Sequence, residues 1–234
     1  MADTSKKNGA HNSAKYILNS VSKTYPSHQV HALSEVSLTI STGERVALMG
    51  PSGCGKSTLL NILGAMDQPS SGSVQFDSLN LAALNDDQLS HIRATRIGFV
   101  FQFFNLLSTL TVSENVALPL ELQRKLDAAA KQRVTACLEK VGMDQRASFF
   151  PSQLSGGEMQ RVAIARALIM QPEVILADEP TGNLDSVNGQ NVLDLLESLC
   201  TEMKITLVMA THSDEAAKIA TRIVRMRDGK IESL

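Results

Sequence analysis

The stretch VALMGPSGCGKSTLLNIL, residues 46–63, decides the fold that we predict for this chain. An apolar segment of strand length runs into the pattern G-x-x-x-x-G-K-S, and that pattern runs into a segment with helical spacing. Gly50, Gly53 and Gly55 allow the backbone to curl tightly, so that successive N–H groups point toward phosphate oxygens. The stretch therefore predicts a phosphate-binding loop between a buried strand and a helix.

Two side chains of this loop suit a bound nucleotide. Lys56 would reach the β- and γ-phosphates, and the Ser57 hydroxyl would bind Mg²⁺. The helix N-terminus adds about 0.3–1 kcal/mol toward an anion. A chance match in a turn rich in glycine and serine is the alternative, and the strand–loop–helix context argues against it. We assign the remaining loop positions to the same site, and these are Pro51, Ser52, Cys54 and Thr58.

Segments on both sides of the loop show strand and helix patterns. Short strands separated by turn residues fill most of residues 15–77, and helical spacing dominates residues 85–168, interrupted by the apolar strand IGFVFQ. The apolar strands EVILADEP and ITLVMATH then alternate with helices, which indicates a parallel sheet covered on both faces. We predict an α/β fold with a P-loop NTPase core and a mainly parallel sheet. An antiparallel β flank and an inserted α-helical lobe, at about residues 85–160, complete it.

Composition limits the class of protein further. The chain has 234 residues, 43% hydrophobic content and a formal charge of -2, which suit one large domain and give no indication of nucleic-acid binding. Three cysteines without metal-like spacing indicate free thiols in a reducing compartment. No apolar stretch approaches the roughly 20 residues that a membrane-spanning helix needs. We expect one domain over residues 15–234, a disordered polar tail over residues 1–14 without a signal peptide, and no nucleic-acid partner.

Two acidic residues end the apolar strand VILAD. Ligands of open parallel sheets collect at the carboxyl ends of the strands. Asp178 therefore suits the coordination shell of Mg²⁺, as the acidic partner of the phosphate loop. Glu179 is a candidate general base that orients or deprotonates an attacking water. Without the phosphate loop, an ordinary acidic turn after a strand would explain both residues equally well.

Three further residues are weaker candidates. His212 ends the next strand and would hydrogen-bond the γ-phosphate, although a surface or helix-capping histidine is the simpler interpretation. Gln102 ends another strand and would contact Mg²⁺ or the attacking water, although an ordinary polar strand end explains it as well. Tyr25 would stack on a base, and an ordinary turn tyrosine before Pro26 is nearly as good an explanation.

The segment LSGGEMQRVAIARAL, residues 154–168, opens like a second phosphate site. Ser155 and Glu158 form an S-x-x-E capping box, so a well-capped helix explains the start of this segment. Gly156 and Gly157 weaken that explanation, because glycines at a helix start cost up to about 1 kcal/mol each relative to alanine. A ligand that approaches the backbone closely would account for them, and a helix N-terminus attracts anions.

Together these motifs resemble the ATP-binding subunits of the ATP-binding cassette (ABC) family. GPSGCGKS, the glutamine in FVFQ, LSGGEMQ, VILADEP, GNLD and the pair TH occur in the order and approximate spacing of that family. The resemblance implies a two-lobed ATPase that binds ATP with Mg²⁺ and acts as a head-to-tail dimer with a second copy of the chain. Each ATP would lie between the phosphate loop of one copy and Ser155, Gly156 and Gly157 of the other. It also implies that Asp185, in GNLD, lies in the loop that crosses the dimer interface, and that Tyr25 stacks on the adenine.

The patterns FVFQFFNLLSTLTVSENVALPL and DEPTGNLD look like those of lipoprotein-release, macrolide-export and antimicrobial-peptide-export ATPases. The resemblance implies a peripheral subunit at the cytoplasmic face of the inner membrane. It would drive an integral membrane permease that exports or extracts a lipoprotein, peptide or drug-like substrate. The helical lobe would contact the permease near residues 102–110, including Phe103 and Phe104. Phe149 and Phe150 stand where more polar residues are expected, and they would pack either on a membrane partner or on the core of the lobe.

Other classes of P-loop protein fit the sequence less well. A non-transport cassette ATPase, acting on ribosomes or in DNA repair, usually carries two cassettes or a long coiled-coil insertion, and neither is visible. An importer ATPase is a further alternative, although the chain ends after its last hairpin, without the regulatory C-terminal domain of some import ATPases. A kinase or GTPase leaves LSGGEMQ unexplained.

Overall fold

The computed structural model describes residues 13–26 and 30–233 of the chain. The predicted polar tail lies outside these residues, except for Ser13 and Ala14. The strands are β1 (Ala14–Tyr25), β2 (Val30–Ser41), β3 (Arg45–Met49), β4 (Ser71–Phe76), β5 (Leu79–Asn80), β6 (Ile97–Phe101), β7 (Val174–Asp178), β8 (Thr206–Thr211), β9 (Arg222–Arg227) and β10 (Lys230–Ser233). The α-helices are α1 (Lys56–Leu63), α2 (Asp86–Arg96), α3 (Val112–Leu122), α4 (Ala130–Lys140), α5 (Gly156–Leu168), α6 (Ser186–Glu202) and α7 (Asp214–Ala217).

A six-stranded sheet forms the centre of the molecule, in the order β10-β9-β3-β8-β7-β6. Its neighbouring strands are parallel except for β10 and β9, which form the predicted hairpin. Successive side chains of a strand point to opposite faces. In β3, Val46 and Leu48 therefore join one hydrophobic cluster, and Ala47 and Met49 join another. Both faces of β3, β7 and β8 are buried, as their nearly continuous apolar sequences predict, whereas side chains of β9 alternate between exposed and buried.

A second sheet, which is antiparallel, covers one face of the central sheet in the order β2-β1-β4-β5. Helix α1 contacts β7 and β8 of the central sheet and β2 of the antiparallel sheet. Its buried side chains are Leu59, Leu60, Ile62 and Leu63, in addition to Lys56. Burial of each leucine or isoleucine contributes about 1.5–3 kcal/mol. The predicted antiparallel flank is thus confirmed, and α1 is held against both sheets.

Helices α3, α4 and α5 pack on one another, and α5 also packs on β6 and α6. Most of their buried apolar residues belong to the cluster on the other face of the central sheet. Helix α2 differs, because its buried Leu89 and Ile92 join the cluster of α1 and the antiparallel sheet. The inserted helices thus contribute to both hydrophobic clusters, and the boundaries of the lobe, at about residues 85–160, stay a prediction.

Helix α3 was not singled out from the sequence. It begins with a capping box, in which the Glu114 N–H donates to Thr111 Oγ1 (3.3 Å) and the Thr111 N–H donates to the Glu114 carboxylate (2.7 Å). Pro119 lies inside the helix and removes one backbone donor, which weakens the helical signal of the sequence. The T-x-x-E spacing was the signal by which this helix start could be found.

The three cysteines all carry free thiols, as predicted. Burial raises the pKa of the Cys200 thiol to about 12 and also raises that of Cys137. Because the thiolate is the reactive form, both thiols are poor nucleophiles at neutral pH. Among the described helices, none combines the length and the apolar character needed to cross a bilayer.

The parallel register brings the carboxyl ends of four strands to one edge of the central sheet. Met49 of β3 is level with Thr211 of β8. Asp178 of β7 is level with Ala210 of β8 and with Phe101 of β6. The segments that follow these strands therefore leave the sheet side by side, and each of them carries a predicted site residue.

Candidate nucleotide-binding site

The phosphate loop passes very close to neighbouring strands. A Cβ atom at Gly50 would lie 2.1 Å from the carbonyl oxygen of Met226, and one at Gly55 would lie 2.5 Å from that of Ala32. Gly55 also has a φ angle of 103°, in the left-handed region that favours glycine. Both glycines are therefore required by the packing of the loop in addition to any ligand.

Lys56, the first residue of α1, turns back over the loop. Its Nζ donates to the carbonyl oxygens of Gly50 (2.8 Å) and Pro51 (3.1 Å). Lys56 is only 7% exposed, so the loop holds its charge in place. An ammonium held at the loop carbonyl oxygens suits a phosphate oxygen, because charge-assisted hydrogen bonds are the strong ones.

A cavity of about 800 Å³ in front of the loop brings most of the predicted residues together. Its size is within the range of small-molecule sites. Gly50 and Cys54 do not line it, and Cys54 is buried with its Sγ 4.0 Å from Lys56 Nζ. Val30 and Ala32 also line it and were not predicted, because small apolar residues of a strand carry no chemical signal. The predicted residues that line the cavity are Tyr25, Pro51, Ser52, Gly53, Gly55, Lys56, Ser57, Thr58, Gln102, Asp178, Glu179 and His212.

Glu179 and His212 form a pair at the carboxyl ends of β7 and β8. Glu179 Oε1 and His212 Nδ1 are 2.9 Å apart, with the Glu179 side chain 17% exposed. The φ angle of Glu179 is 46°, and its N–H donates to the Ala210 carbonyl at 2.9 Å. Such backbone strain, about 1–3 kcal/mol, clusters at functional sites. The hydrogen bond from His212 to the γ-phosphate stays a prediction, and the His212 ring also contacts the carboxylate of Glu179.

Asp178, at the end of β7, is a half-buried acid of the site. Burial is the main cause that raises the pKa of its carboxyl, and the charge of Glu179 adds to the effect, against the Ser57 hydroxyl and the charge of Lys56. A carboxylate that is costly to bury is stabilised by a cation. Ser57, Gln102 and Asp178 contribute hydroxyl, amide and carboxylate groups to one cavity, and Mg²⁺ prefers oxygen ligands of this kind together with water. The residues therefore fit the predicted Mg²⁺.

Gln102 is tied to the segment before α6. Its carbonyl oxygen accepts from Asn183 Nδ2 at 2.9 Å, and its Nε2 lies 3.4 Å from Asn183 Oδ1. A Cβ atom at Gly182 would lie 2.8 Å from the same Nε2. Gln102 is therefore held by contacts to GNLD, a motif eighty-one positions away along the chain.

The segment from Ser155 to Gly157 opens helix α5 and does not line the cavity. The predicted capping box is present, since the Glu158 N–H donates to Ser155 Oγ (3.3 Å) and the Ser155 N–H donates to the Glu158 carboxylate (2.9 Å). A Cβ atom at Gly156 would lie 3.0 Å from Leu184, and one at Gly157 would lie 3.1 Å from the Asn188 amide oxygen. Close packing against the start of α6 is thus a second reason for the glycines.

Asp185 caps helix α6. Its carboxylate accepts from the N–H groups of Val187 (3.1 Å) and Asn188 (3.0 Å), and from Asn188 Nδ2 (2.6 Å). The hydrogen bonds from Asn188 are the main reason that the pKa of Asp185 is lowered. Asp185 lines a second cavity, of about 690 Å³, which shares Glu179 and His212 with the first. The site therefore extends from the phosphate loop toward the start of α6.

The segment after β6, which is predicted to contact a permease, is held by hydrogen bonds from side chains of α3 and α5. Arg166 of α5 donates to the carbonyl oxygen of Phe104 at 2.8 Å. The fully buried Asn115 of α3 pairs with both the N–H (2.8 Å) and the carbonyl oxygen (3.1 Å) of Leu107. Phe103 and Leu107 nevertheless stay 72% and 46% exposed. The backbone is thus held firmly while apolar side chains face outward.

The two phenylalanines before α5 behave differently from each other. Phe149 packs on the cluster of α3, α4 and α5, and the Arg146 guanidinium lies 4.6 Å from its ring centre. Phe150 is 42% exposed. Phe149 therefore packs on the core of the lobe. Packing on a membrane partner is an explanation only for Phe150.

Fold and site together define a nucleotide-binding α/β ATPase of the phosphate-loop class. The sequence profile of the family described as ABC transporter matches residues 33–182, and the chain belongs to this family. The predicted family and fold are confirmed, and with them the assignment as an ATP-binding ATPase.

Known relatives agree with this assignment. LolD, the ATP-binding protein of the lipoprotein-releasing system of Shewanella denitrificans, is 44% identical over 214 residues, which are 91% of this chain and 92% of LolD. The macrolide export ATP-binding/permease protein MacB of Photorhabdus laumondii is 44% identical over 218 residues, which are 92% of this chain but 34% of MacB. The dimeric structure of the cassette MJ0796 of Methanocaldococcus jannaschii, bound to ADP and Pi, superposes with a TM-score of 0.84 at 44% identity, covering 93% of this chain and 97% of that one.

Proposed function

We propose that the chain is the ATP-hydrolysing subunit of an exporter and drives a separate membrane permease from the cytoplasmic face of the inner membrane. The observation that carries the proposal is the single cavity shared by the phosphate loop, Asp178, Glu179 and His212. The similarity to LolD and MacB supports export or extraction of a lipoprotein, peptide or drug-like substrate.

The residues of the cavity have different roles in ATP binding and hydrolysis. Lys56 and the loop N–H groups hold the ATP phosphates, and the ring of Tyr25 stacks on the adenine. Ser57, Asp178 and Gln102 hold Mg²⁺, which neutralises phosphate charge when bound. Glu179 accepts a proton from the attacking water, and His212 orients the Glu179 carboxylate through their 2.9 Å contact.

A second copy of the chain completes the site in this proposal. Ser155, Gly156 and Gly157 of one copy bind the ATP held by the phosphate loop of the other, and Asp185 lies at the interface. Two observations support this arrangement. The N-terminus of α5 is outside the cavity of its own chain, and the similar cassette MJ0796 is dimeric.

The proposed docking surface of the permease is a groove between α2, β6, α3 and α5. A cavity of about 380 Å³ there is lined partly by Phe101, Leu118, Pro119 and Leu122. Leu122 is 72% exposed, as is Phe103 in the neighbouring segment. Exposed apolar side chains beside an apolar groove favour a protein partner, so we extend the predicted contact from residues 102–110 to this groove.

ATP binding and hydrolysis test the proposal directly. Lys56→Ala removes a charge-assisted contact of about 1.5–3 kcal/mol, so ATP affinity should fall about ten- to a hundred-fold and hydrolysis with it. Lys218→Ala, which changes a side chain 72% exposed, is the matched control and should bind ATP normally. Unchanged ATP affinity and turnover in Lys56→Ala would overturn the assignment of the loop.

Permease binding is tested by capture from detergent-solubilised membranes of the native host, followed by identification of the captured proteins. Phe103→Ser and Leu122→Ser should each reduce recovery of an integral membrane permease and leave basal ATP hydrolysis unchanged. Leu79→Ser changes a leucine of β5, 37% exposed and outside the groove, and should not affect recovery. Equal recovery with all three variants would exclude the groove as the docking surface.

A further inference from the structure

The hydroxyl of Tyr25 is bound to a residue that the functional motifs do not include. Tyr25, the last residue of β1, donates a hydrogen bond of 2.9 Å to Oδ2 of Asp67, in the loop between α1 and β4. The two residues are separated by 42 positions in the sequence. The tyrosine ring is therefore held at both ends, by the strand at its Cβ and by Asp67 at its hydroxyl.

Asp67 is itself fixed by two further donors. Lys23 Nζ lies 2.5 Å from Oδ1, and the N–H of Gln68 donates to the same oxygen at 2.8 Å. Lys23 Nζ also donates to the carbonyl oxygen of Gln68 at 2.8 Å. These hydrogen bonds outweigh the effect of burial and lower the pKa of Asp67, so the carboxylate is ionised at neutral pH. Tyr25 thus has a charged acceptor that cannot move freely.

Lys23 makes a second contact that affects the ring directly. It precedes Tyr25 by two positions on β1, and residues two apart on a strand share one face. Its Nζ lies 5.0 Å from the centre of the Tyr25 ring, within the range of a cation–π interaction. The ammonium therefore occupies one face of the ring, while the ring also lines the cavity of about 800 Å³.

We propose that Asp67 and Lys23 are positioning residues for the nucleotide base, which hold the Tyr25 ring in one orientation so that the face opposite Lys23 receives the adenine. The proposal rests on the proposed function, in which Tyr25 stacks on ATP. A ring that is already held loses little rotational freedom when the base binds. Ordering a free side chain on binding would cost about two- to ten-fold in affinity.

Three variants separate the parts of this arrangement. Tyr25→Phe removes the hydroxyl and keeps the ring, Asp67→Asn keeps an acceptor and removes the charge, and Asp67→Ala removes both. Calorimetry with ATP and with inorganic tripolyphosphate, which has no base, measures the effect on each part of the nucleotide. Tyr25→Phe and Asp67→Ala should each weaken ATP binding about two- to ten-fold and leave tripolyphosphate binding unchanged. The ATP affinity of Asp67→Asn should lie between those of wild type and Asp67→Ala.

A double variant and a spectroscopic signal test whether Asp67 acts through Tyr25. Tyr25→Phe and Asp67→Ala remove the same hydrogen bond. The ATP affinity of the double variant should therefore equal that of whichever single variant binds ATP less tightly. The chain has no tryptophan and two tyrosines, of which Tyr16 is fully buried with its hydroxyl on the Leu63 carbonyl. A fall in tyrosine fluorescence anisotropy in Asp67→Ala would therefore report faster rotation of the Tyr25 ring.

Glu197→Gln is the control, since it breaks the ion pair of Arg45 and Glu197 (2.9 Å), and Arg45 lies at the opposite end of β3 from the phosphate loop. It should change neither ligand's affinity. If Asp67→Ala weakened ATP and tripolyphosphate equally, or left both unchanged with normal anisotropy, the positioning role would be wrong. If wild-type protein bound no ATP, the proposed function itself would fail, so the two failures are distinguishable.

Discussion

At the level of single residues, the proposed hydrolysis depends on how the Glu179 carboxylate is held. Its backbone adopts a left-handed conformation, its N–H is bound to the Ala210 carbonyl, and His212 contacts its Oε1 at 2.9 Å. These three constraints come from β7 and β8, which are paired strands of the central sheet. A base whose position is set by the sheet needs little reorganisation when water and ATP are in place.

Glu179→Gln should therefore remove the base and keep the shape of the site. We expect turnover to fall by about 10²–10⁴, the usual cost of losing a general base, with ATP binding retained. Steady-state hydrolysis and equilibrium binding of labelled ATP measure the two effects. Glu215→Gln is the matched control, because Glu215 lines the second cavity with its side chain 66% exposed. Near-normal turnover in Glu179→Gln would contradict the assignment.

At the level of helices and strands, four charged residues join segments that are distant from one another in sequence. Lys15 of β1 lies 2.8 Å from both Asp77, after β4, and Glu173, before β7. Arg96, the last residue of α2, pairs with Glu173 at 2.6 Å and also with Asp77. The cluster connects both sheets and α2 at the amino end of β7, the end opposite to Asp178. We expect it to stabilise the framework and to leave the chemistry of the site unaffected.

The pH dependence of stability tests this cluster. Hydrogen bonds from Arg96 and Lys15 lower the pKa of Glu173 from 4.5 to about 2, against the effect of burial. Between these values the unfolded chain binds more protons than the folded one, so this stabilisation is present above pH 4.5 and is lost as the pH falls toward 2. Glu173→Gln should lower the free energy of unfolding at pH 7 by about 1–2 kcal/mol, a value reduced for solvent screening of a carboxylate that is 41% exposed.

Urea denaturation of wild type and Glu173→Gln from neutral pH down to about pH 3 is the measurement, and the difference between them should shrink as the pH falls. Glu202→Gln breaks an exposed ion pair, Lys140 with Glu202 at 3.0 Å, and should have little effect at any pH. If the difference in the free energy of unfolding between wild type and Glu173→Gln stayed constant with pH, lost packing and not lost charge would explain the destabilisation.

At the scale of the whole molecule, the two predicted phosphate sites are separate surfaces. The phosphate loop lines its cavity, and Ser155 does not. Ser155 also bonds within its own helix start, and the glycines after it pack on Leu184 and Asn188. This packing places the start of α5 against the start of α6, which Asp185 caps. In the proposed dimer, that unit would contact the ATP of the other copy.

ATP should therefore control association of the chain with itself. If the nucleotides form much of the interface, ATP binding and dimerisation are coupled by mass action. Glu179→Gln, which does not consume its ATP, should double in mass by light scattering only when ATP and Mg²⁺ are added. The double variant Glu179→Gln/Lys56→Ala should not double in mass when ATP and Mg²⁺ are added. A stable dimer without nucleotide would argue against ATP as the link.

Mixing two inactive variants tests the shared site itself. Lys56→Ala and Ser155→Arg each damage both sites of a homodimer. In a mixed dimer, one site carries both lesions and the other carries none, as two-fold symmetry requires. Random pairing makes about half of the dimers mixed, so up to about a quarter of normal ATP occlusion should return. Occlusion is the better measurement, because it reports one intact site whether or not hydrolysis needs both sites.

A matched mixture serves as the control for this experiment. Lys56→Ala with Ser57→Ala leaves a damaged phosphate loop in every site, so mixing should restore nothing. Ser155→Arg also removes a helix cap, at a cost of about 1 kcal/mol, and thermal denaturation should confirm that the variant is folded. Absence of rescue, with mixed dimers confirmed, would rule out a site shared between copies.

Features that depend on residues close together in the chain could be predicted from the amino-acid sequence. The phosphate loop needs three glycines, a lysine and a serine within one contiguous stretch between a strand and a helix. The capping box of α5 needs only the spacing of Ser155 and Glu158, and nearly continuous runs of apolar residues predict strands buried on both faces. The helical pattern was not sufficient to predict α3, because Pro119 inside the helix is a residue that usually interrupts helices.

Contacts between residues that are distant in sequence became visible in the three-dimensional structure and could not be predicted from the motifs. The strand order places β8 beside β7, which brings His212 to the Glu179 carboxylate, thirty-three positions away in sequence. The loop after α1 brings Asp67 to the Tyr25 hydroxyl, and β2 adds Val30 to the cavity. Neither Asp67 nor Val30 belongs to a motif. Their positions depend on strand register and on the packing of α1 between two sheets, and these are set by contacts summed over the whole core.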